Sequence, residues 1–136
     1  MKLAICTDVF ADLSYTDMLD KVKSLGIDAV EMTAGGWGAR KHCNTAELLA
    51  DEGKRKEFMG ELEKRGMRIS ALNTSCNPLW PSKTGEEYKK SMYDCATLAG
   101  LLGVKKIVAM AGLPAGNETD TTPNWITSTV SWPDFM

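Results

Sequence analysis

The stretch "LGIDAVEM" (Leu25–Met32) carries the signal on which the fold turns. A helical pattern runs into Gly26, and a short apolar run follows it. Glycine suits a helix C-terminus because, lacking a Cβ, it takes the left-handed conformation that ends the helix and redirects the chain. The same grammar returns in "RGMRISAL" (Arg65–Leu72) and "LGVKKIVAM" (Leu102–Met110), so that Gly26, Gly66 and Gly103 lie 40 and 37 residues apart. That interval holds one helix, one strand and two loops, and the sequence reads as a βα repeat.

Working outward, the helical segments show their apolar faces. Met18, Leu19, Val22 and Leu25 share one side of the first, with Ser14 and Asp17 spaced as a capping box. In the last, Tyr88, Met92, Cys95, Ala99 and Leu102 recur at steps of 4, 3, 4 and 3, with Thr84 and Glu87 as the capping pair. The middle helix is weaker: Phe58, Met59 and Leu62 follow an irregular lead-in from Asn44 to Asp51 that has room for a short helical turn. Strands are expected at about Leu3–Thr7, Ala29–Met32, Ile69–Asn73 and Ile107–Met110, short and mostly apolar as in a sheet covered on both faces. Right-handed crossovers make them parallel. "WITSTVSW" (Trp125–Trp132) has strand-like composition, but Pro123 and Pro133 bracket it and no helix precedes it.

An open doubly wound sheet and part of a closed eight-stranded barrel both fit this order. A barrel takes roughly 250 residues, so four strands in 136 residues would be about half of one.

Composition bounds the rest. With 43% apolar and 25% charged residues, residues 1–136 read as one globular domain. The 16 basic and 18 acidic residues are interspersed, including "GKRKEF" (Gly53–Phe58) beside Asp51 and Glu52, which disfavours nucleic acid or an anionic membrane as partner. Cys6, Cys43, Cys76 and Cys95 lie too far apart for a zinc or redox motif, so free thiols are expected. No leader pattern and no apolar run near 18 residues occurs, which points to the cytoplasm.

Four pieces in order, "CTDVF" after strand one, "LGIDAVEM" into strand two, "ISALNTSCNPLWP" around strand three and "MAGLPAG" with "PNW" after strand four, resemble the sugar phosphate isomerase/epimerase family of xylose-isomerase-like TIM barrels. The resemblance implies an α/β fold of parallel βα repeats forming about half of a TIM (β/α)8 barrel. It implies a pocket at the C-terminal strand ends, a sugar or polyol-derived substrate, and metal-assisted proton transfer beside a carbonyl. The cofactor would be a divalent metal such as Mn, Mg, Zn or Co. In such families the metal ligands come mostly from strands five to eight. The resemblance therefore implies that this chain holds no metal alone, is the N-terminal half, is inactive by itself, and ends within the loop after strand four. Many relatives carry a His after strand three and another near the "NP" turn, whereas this chain has Ser75, Cys76 and Trp80 there.

Six residues are candidates for contacting substrate. Glu31, between Val30 and Met32, could be aimed by alternation into a barrel mouth, where a buried carboxylate needs a partner. His42, the sole histidine, lies with Trp37 in the loop "TAGGWGARKHCN" after strand two, where an imidazole and a ring-stacking indole would serve a sugar. Asp8, Asn73 and Asn77 stand at strand ends, suited to hydroxyl recognition and equally to turns. A zinc site from Cys6, His42, Cys43 and Cys76 is disfavoured by spacing, and "GLPAG" lacks the Lys of a phosphate loop. A half-barrel leaves two strand edges unpaired, inviting a homo-oligomer or a complementary half-barrel. The competing reading is a non-catalytic ligand-binding or regulatory module on an open sheet, whose strand order would reverse direction from the first strand. An apurinic-endonuclease barrel is disfavoured by the acidic balance.

Overall fold

The computed structural model describes residues 2–115. Four strands, β1 (Ile5–Cys6), β2 (Ala29–Thr33), β3 (Arg68–Thr74) and β4 (Ile107–Ala109), alternate with α1 (Tyr15–Ser24), α2 (Thr45–Ala50), α3 (Glu52–Glu63) and α4 (Lys83–Leu102). All strand pairs are parallel, in the order β1-β2-β3-β4. Each strand lies beside its neighbour in sequence without reversal, the order of a barrel wall rather than of a doubly wound sheet. "WITSTVSW" lies outside the described residues.

Gly26, Gly66 and Gly103 all adopt positive φ, at 75°, 61° and 69°, so the glycine signal corresponds to real chain reversals. Ser14 caps α1 as expected: its Oγ accepts the Asp17 backbone N–H at 3.2 Å and donates to the Asp17 carboxylate at 2.6 Å. The lead-in before the middle helix is α2, and Asp51 separates it from α3 by accepting the Lys54 N–H at 3.1 Å.

Several boundaries differ from expectation for visible reasons. β1 is shorter than Leu3–Thr7, because Leu3 and Ala4 have no partner in β2 and Thr7 opens a 3-10 turn, Thr7–Phe10. β2 and β3 run longer than expected, to Thr33 and from Arg68 to Thr74, while β4 stops at Ala109. The α4 cap is Ser82, whose Oγ accepts the Gly85 N–H, rather than the Thr84–Glu87 pair. Leu25 is exposed, since it sits past the last turn of α1 beside Gly26. In α4, steps averaging 3.5 residues drift around a helix of period 3.6. The buried stripe accordingly passes through Cys95, Leu98 and Ala99, leaving Tyr88 and Leu102 half-buried.

The helices cover one face of the sheet. Met18, Leu19 and Val22 of α1, Leu62 of α3 and Leu98 of α4 are wholly buried with Val30, Met32 and Leu72 of the strands, each such side chain stabilising by roughly 1.5–3 kcal/mol. A β-bulge between Val30 and Glu31 sets the other face. Val30 stands opposite Ile69, but Glu31 stands opposite Ala71, leaving Ser70 as the extra residue, its Oγ donating to the Val30 carbonyl at 2.9 Å. Beyond the bulge Leu72 joins Met32 on the helix side, while Asn73 joins Thr33 on the concave side. Among the described residues no helix is long and apolar enough to cross a membrane, and no buried side-chain N or O lacks a hydrogen-bond partner.

Candidate functional site at the C-terminal strand ends

The bulge brings two candidates together. Asn73 Nδ2 donates to Glu31 Oε1 at 2.6 Å, and Asn73 Oδ1 accepts the Ser75 N–H at 2.8 Å. Asn73 thus has a fixed amide orientation, and it holds the Glu31 carboxylate on the concave face near the C-terminal strand ends. Glu31 is half-buried and keeps a second oxygen able to accept a proton or a hydroxyl hydrogen. Cys6 and Thr33 flank it on the same face, Cys6 Sγ lying 3.9 Å from Thr33 Oγ1.

The loop after β2 roofs this end. Ala34 and Gly35 N–H groups donate to the Asn73 carbonyl at 2.9 and 3.2 Å, Gly36 N–H donates to Ser91 Oγ of α4 at 2.9 Å, and Trp37 N–H donates to the Ser75 carbonyl at 3.0 Å. Thr45 Oγ1 in turn donates to the Ala34 carbonyl. Glycine is required where the backbone comes this close. A Cβ on Gly36, itself at φ +70°, would meet the Ser75 carbonyl, and one on Gly38 would come within 2.8 Å of Asp8 Oδ2. Asp8, in the 3-10 turn after β1, therefore has its carboxylate against the same loop. The Trp37 indole is half exposed and meets Tyr88 edge-on, with ring centroids 6.2 Å apart at 83°.

The remaining two candidates do other things. Asn77 is fully buried: its Nδ2 donates to the Leu113 carbonyl at 3.0 Å while its Oδ1 accepts the N–H groups of Leu79 and Leu113. It clips the loop after β3 to the segment after β4. His42 is buried, not a surface residue of its loop, with Nε2 3.1 Å from the Leu13 carbonyl. It lines a cleft of about 460 Å³ with Tyr15, Leu48, Phe58 and Glu61, in the helical layer rather than beside Glu31.

Ser91 and Thr33 carry no sequence signal of their own, although the closely spaced Gly35, Gly36 and Gly38 are the sign of a loop pressed against its neighbours. The four cysteines are free thiols, and burial pushes Cys43 and Cys95 up to about 11 and raises Cys76. Cys43, Cys76 and Cys95 are neutral packing groups at ordinary pH. Among the described residues no three His, Cys, Asp or Glu side chains gather as a group able to hold a metal ion.

No family model matches the chain. It is 52% identical over all 136 residues to "Uncharacterized protein YfiH" of Bacillus subtilis (strain 168), and spans 44% of that protein's length. Its structure resembles that of the probable 3-DHS dehydratase AsbF of Bacillus anthracis, involved in petrobactin synthesis. The TM-score is 0.58 at 21% identity, covering 82% of this chain and 39% of that one. That neighbour is a TIM barrel. The fold of the chain is therefore α/β, with four parallel βα units arranged as half of such a barrel.

Proposed function

We propose that the chain supplies the first half of a sugar-processing barrel of the isomerase or epimerase kind, with Glu31 as its proton-accepting group and Asn73 as the residue that orients it. The observation that carries this reading is the Asn73–Glu31 hydrogen bond, at the end of the concave face where a TIM barrel binds substrate. A carboxylate held by one amide donor keeps lone pairs for substrate hydroxyls, and can take the proton from a carbon beside a carbonyl when that carbon is set within hydrogen-bonding reach. Asp8 at the neighbouring strand end and the half-exposed Trp37 indole add a second acceptor and an apolar ring, the pair of features that polyols call for. A divalent metal, if the complete barrel uses one, would polarise the carbonyl. Its ligands would come from polypeptide other than the described residues.

Ligand-observed NMR with aldoses, ketoses and their phosphates tests the site, with turnover followed in the presence of Mn²⁺ or Mg²⁺. The expected result is weak binding of polyhydroxylated ligands, at least tenfold weaker in Glu31→Gln and Asn73→Ala, without turnover by the chain alone. Binding that both substitutions leave unchanged removes the site. Robust turnover by the chain removes the half-barrel reading of the chemistry.

A further inference from the structure

The roof of the concave site is also held from outside the sheet. The loop after β2 carries Gly35, Gly36 and Gly38 around Trp37. Glycines restrict a backbone little, so the shape of this loop has to come from what grips it. One grip is β3, where the carbonyls of Asn73 and Ser75 accept the Ala34, Gly35 and Trp37 N–H groups. Another is α4. Ser91 Oγ accepts the Gly36 N–H at 2.9 Å across 55 residues of chain, and the same oxygen lies 3.3 Å from Thr74 Oγ1 at the end of β3. A hydroxyl has one hydrogen to give and two lone pairs, so Ser91 can serve both neighbours at once. Tyr88 precedes Ser91 by three residues, on the same side of α4, and meets the Trp37 indole edge-on with 83° between the rings.

The junction is tight. Thr74 is fully buried and follows Asn73, whose amide holds Glu31. A Cβ on Gly35 would fall within 2.7 Å of Thr74 Oγ1 and nearer still to Ser91 Oγ, so the loop backbone lies directly against this pair of hydroxyls. Ser91 therefore touches both the loop segment that leads into Trp37 and the strand end that carries Asn73. Removing its hydroxyl takes away the bond that ties Gly36, the residue before Trp37, to α4. The Asn73–Glu31 bond keeps both its partners.

We propose that Ser91 is a positioning residue of the site: with Tyr88 it fixes the Trp37 indole relative to the Glu31–Asn73 pair, and so favours a sugar in its ring form over an open-chain polyol. A ring offers hydroxyls to the carboxylate and a rigid apolar C–H face to the indole. An open chain has to be ordered before it can lie along the same surface. The selection rests on the sugar-site reading above, whereas the positioning stands on the contacts of α4 alone.

Amide hydrogen exchange and side-chain NMR signals of the ligand-free chain test the positioning, with the Leu72 amide as the check that each variant is folded. In Ser91→Ala the Gly36 amide should exchange about tenfold faster. The Trp37 indole N–H signal, identified by its loss in Trp37→Phe, should shift, while the Asn73 side-chain amide signal stays in place. Tyr88→Leu should shift the indole signal and leave the Gly36 amide protected. Thr97→Ala, which removes an exposed hydroxyl of the same helix, should move none of these. Titration with a methyl pyranoside and with xylitol tests the selection. The pyranoside should bind Ser91→Ala about fivefold more weakly than it binds the natural chain, and xylitol should stay within about twofold. A Gly36 amide and an indole signal that Ser91→Ala leaves unchanged overturn the positioning, as does Thr97→Ala moving them equally. Equal weakening of both ligands overturns the selection. A natural chain that binds neither removes the sugar-site reading and the selection with it, while the ligand-free signals still decide the positioning.

Discussion

The two faces of the one sheet follow different rules. On the helix side Val30, Met32 and Leu72 are wholly buried and interlock with α1, α3 and α4. On the concave side the same strands carry Arg68, Glu31 and Asn73, one polar pair and one cation that has no ion pair among the described residues. Neighbours in sequence thus belong to different problems: Leu72 holds the half-barrel together, and Asn73 equips it. The difference teaches that the large apolar side chains and the charged and amide groups separate by the parity of a strand, so the face without helices is the one that carries the chemistry.

Adjacent substitutions put this to the strongest test. Leu72→Ala should cost about 2–5 kcal/mol of unfolding free energy, the lost transfer energy plus the cavity. Asn73→Ala, removing a half-buried amide, should cost below about 1.5 kcal/mol. Urea unfolding measures both, and equal losses would break the comparison. Which residue falls on which side was only half legible in the sequence. The glycine-terminated helices and the alternation of helix with strand are written in local chemistry, which is why the βα repeat and the α1 cap could be read directly, whereas the spatial order of the strands could not. Glu31 could be placed by alternation in its own strand, but its pairing with Asn73 could not, because simple alternation from Ile69 puts Leu72 on the concave side and Asn73 toward the helices. A single bulge residue, Ser70, reverses that, and no local pattern announces it. A cluster of cations at the N-terminal strand ends was equally hidden, since Lys2, Arg68 and Lys106 are far apart in the chain and meet only through the sheet.

Two glycines on α4 sharpen the comparison within one helix. A Cβ on Gly85 would collide with the Trp80 carbonyl, fixed backbone that cannot move aside. Gly85→Ala should therefore destabilise by roughly 1–3 kcal/mol through overpacking where the helix meets the site-bearing loop. Gly100 has open space around its position. Gly100→Ala should stabilise by about 0.4–1 kcal/mol, because alanine restricts the unfolded chain and favours helix. Opposite signs in thermal unfolding are the expected outcome, and a loss at both would mean that α4 tolerates no added atoms anywhere.

The buried thiols give the helix side a signature in alkali. Burial raises Cys43 from 9.0 to about 11, so the unfolded chain gives up this proton before the folded one does. The stabilisation is complete below pH 9 and is lost as the pH rises toward 11, by an amount of order 1–2 kcal/mol. Cys43→Ala should flatten that part of the profile while leaving neutral pH nearly unchanged apart from packing. A natural-chain profile that Cys43→Ala does not alter between pH 9 and 11 would mean that the thiol is solvated after all.

The smallest effect belongs to the outer surface, which neither face of the sheet touches. Arg65, in the turn before β3, donates to Asp20 of α1 at 2.6 and 3.1 Å and to Glu61 of α3 at 2.7 Å. The guanidinium hydrogen bond holds Asp20 below the ordinary carboxylate range, and Lys64 followed by Arg65 does the same for Glu61. With folded values depressed, the contribution is present above the unfolded carboxylate value and is lost as the pH falls through the folded one. It therefore concerns acid, where Cys43 concerns alkali. Both carboxylates lie at the surface and the pairs are screened, so Asp20→Asn should shift thermal unfolding at pH 7 less than any substitution above, and the shift should shrink in 1 M salt. A salt-independent loss rivalling that of Leu72→Ala would show the Arg65 link pinning α1 to α3 as firmly as the core does, and the division between a packed interior and a dispensable surface would have to be redrawn.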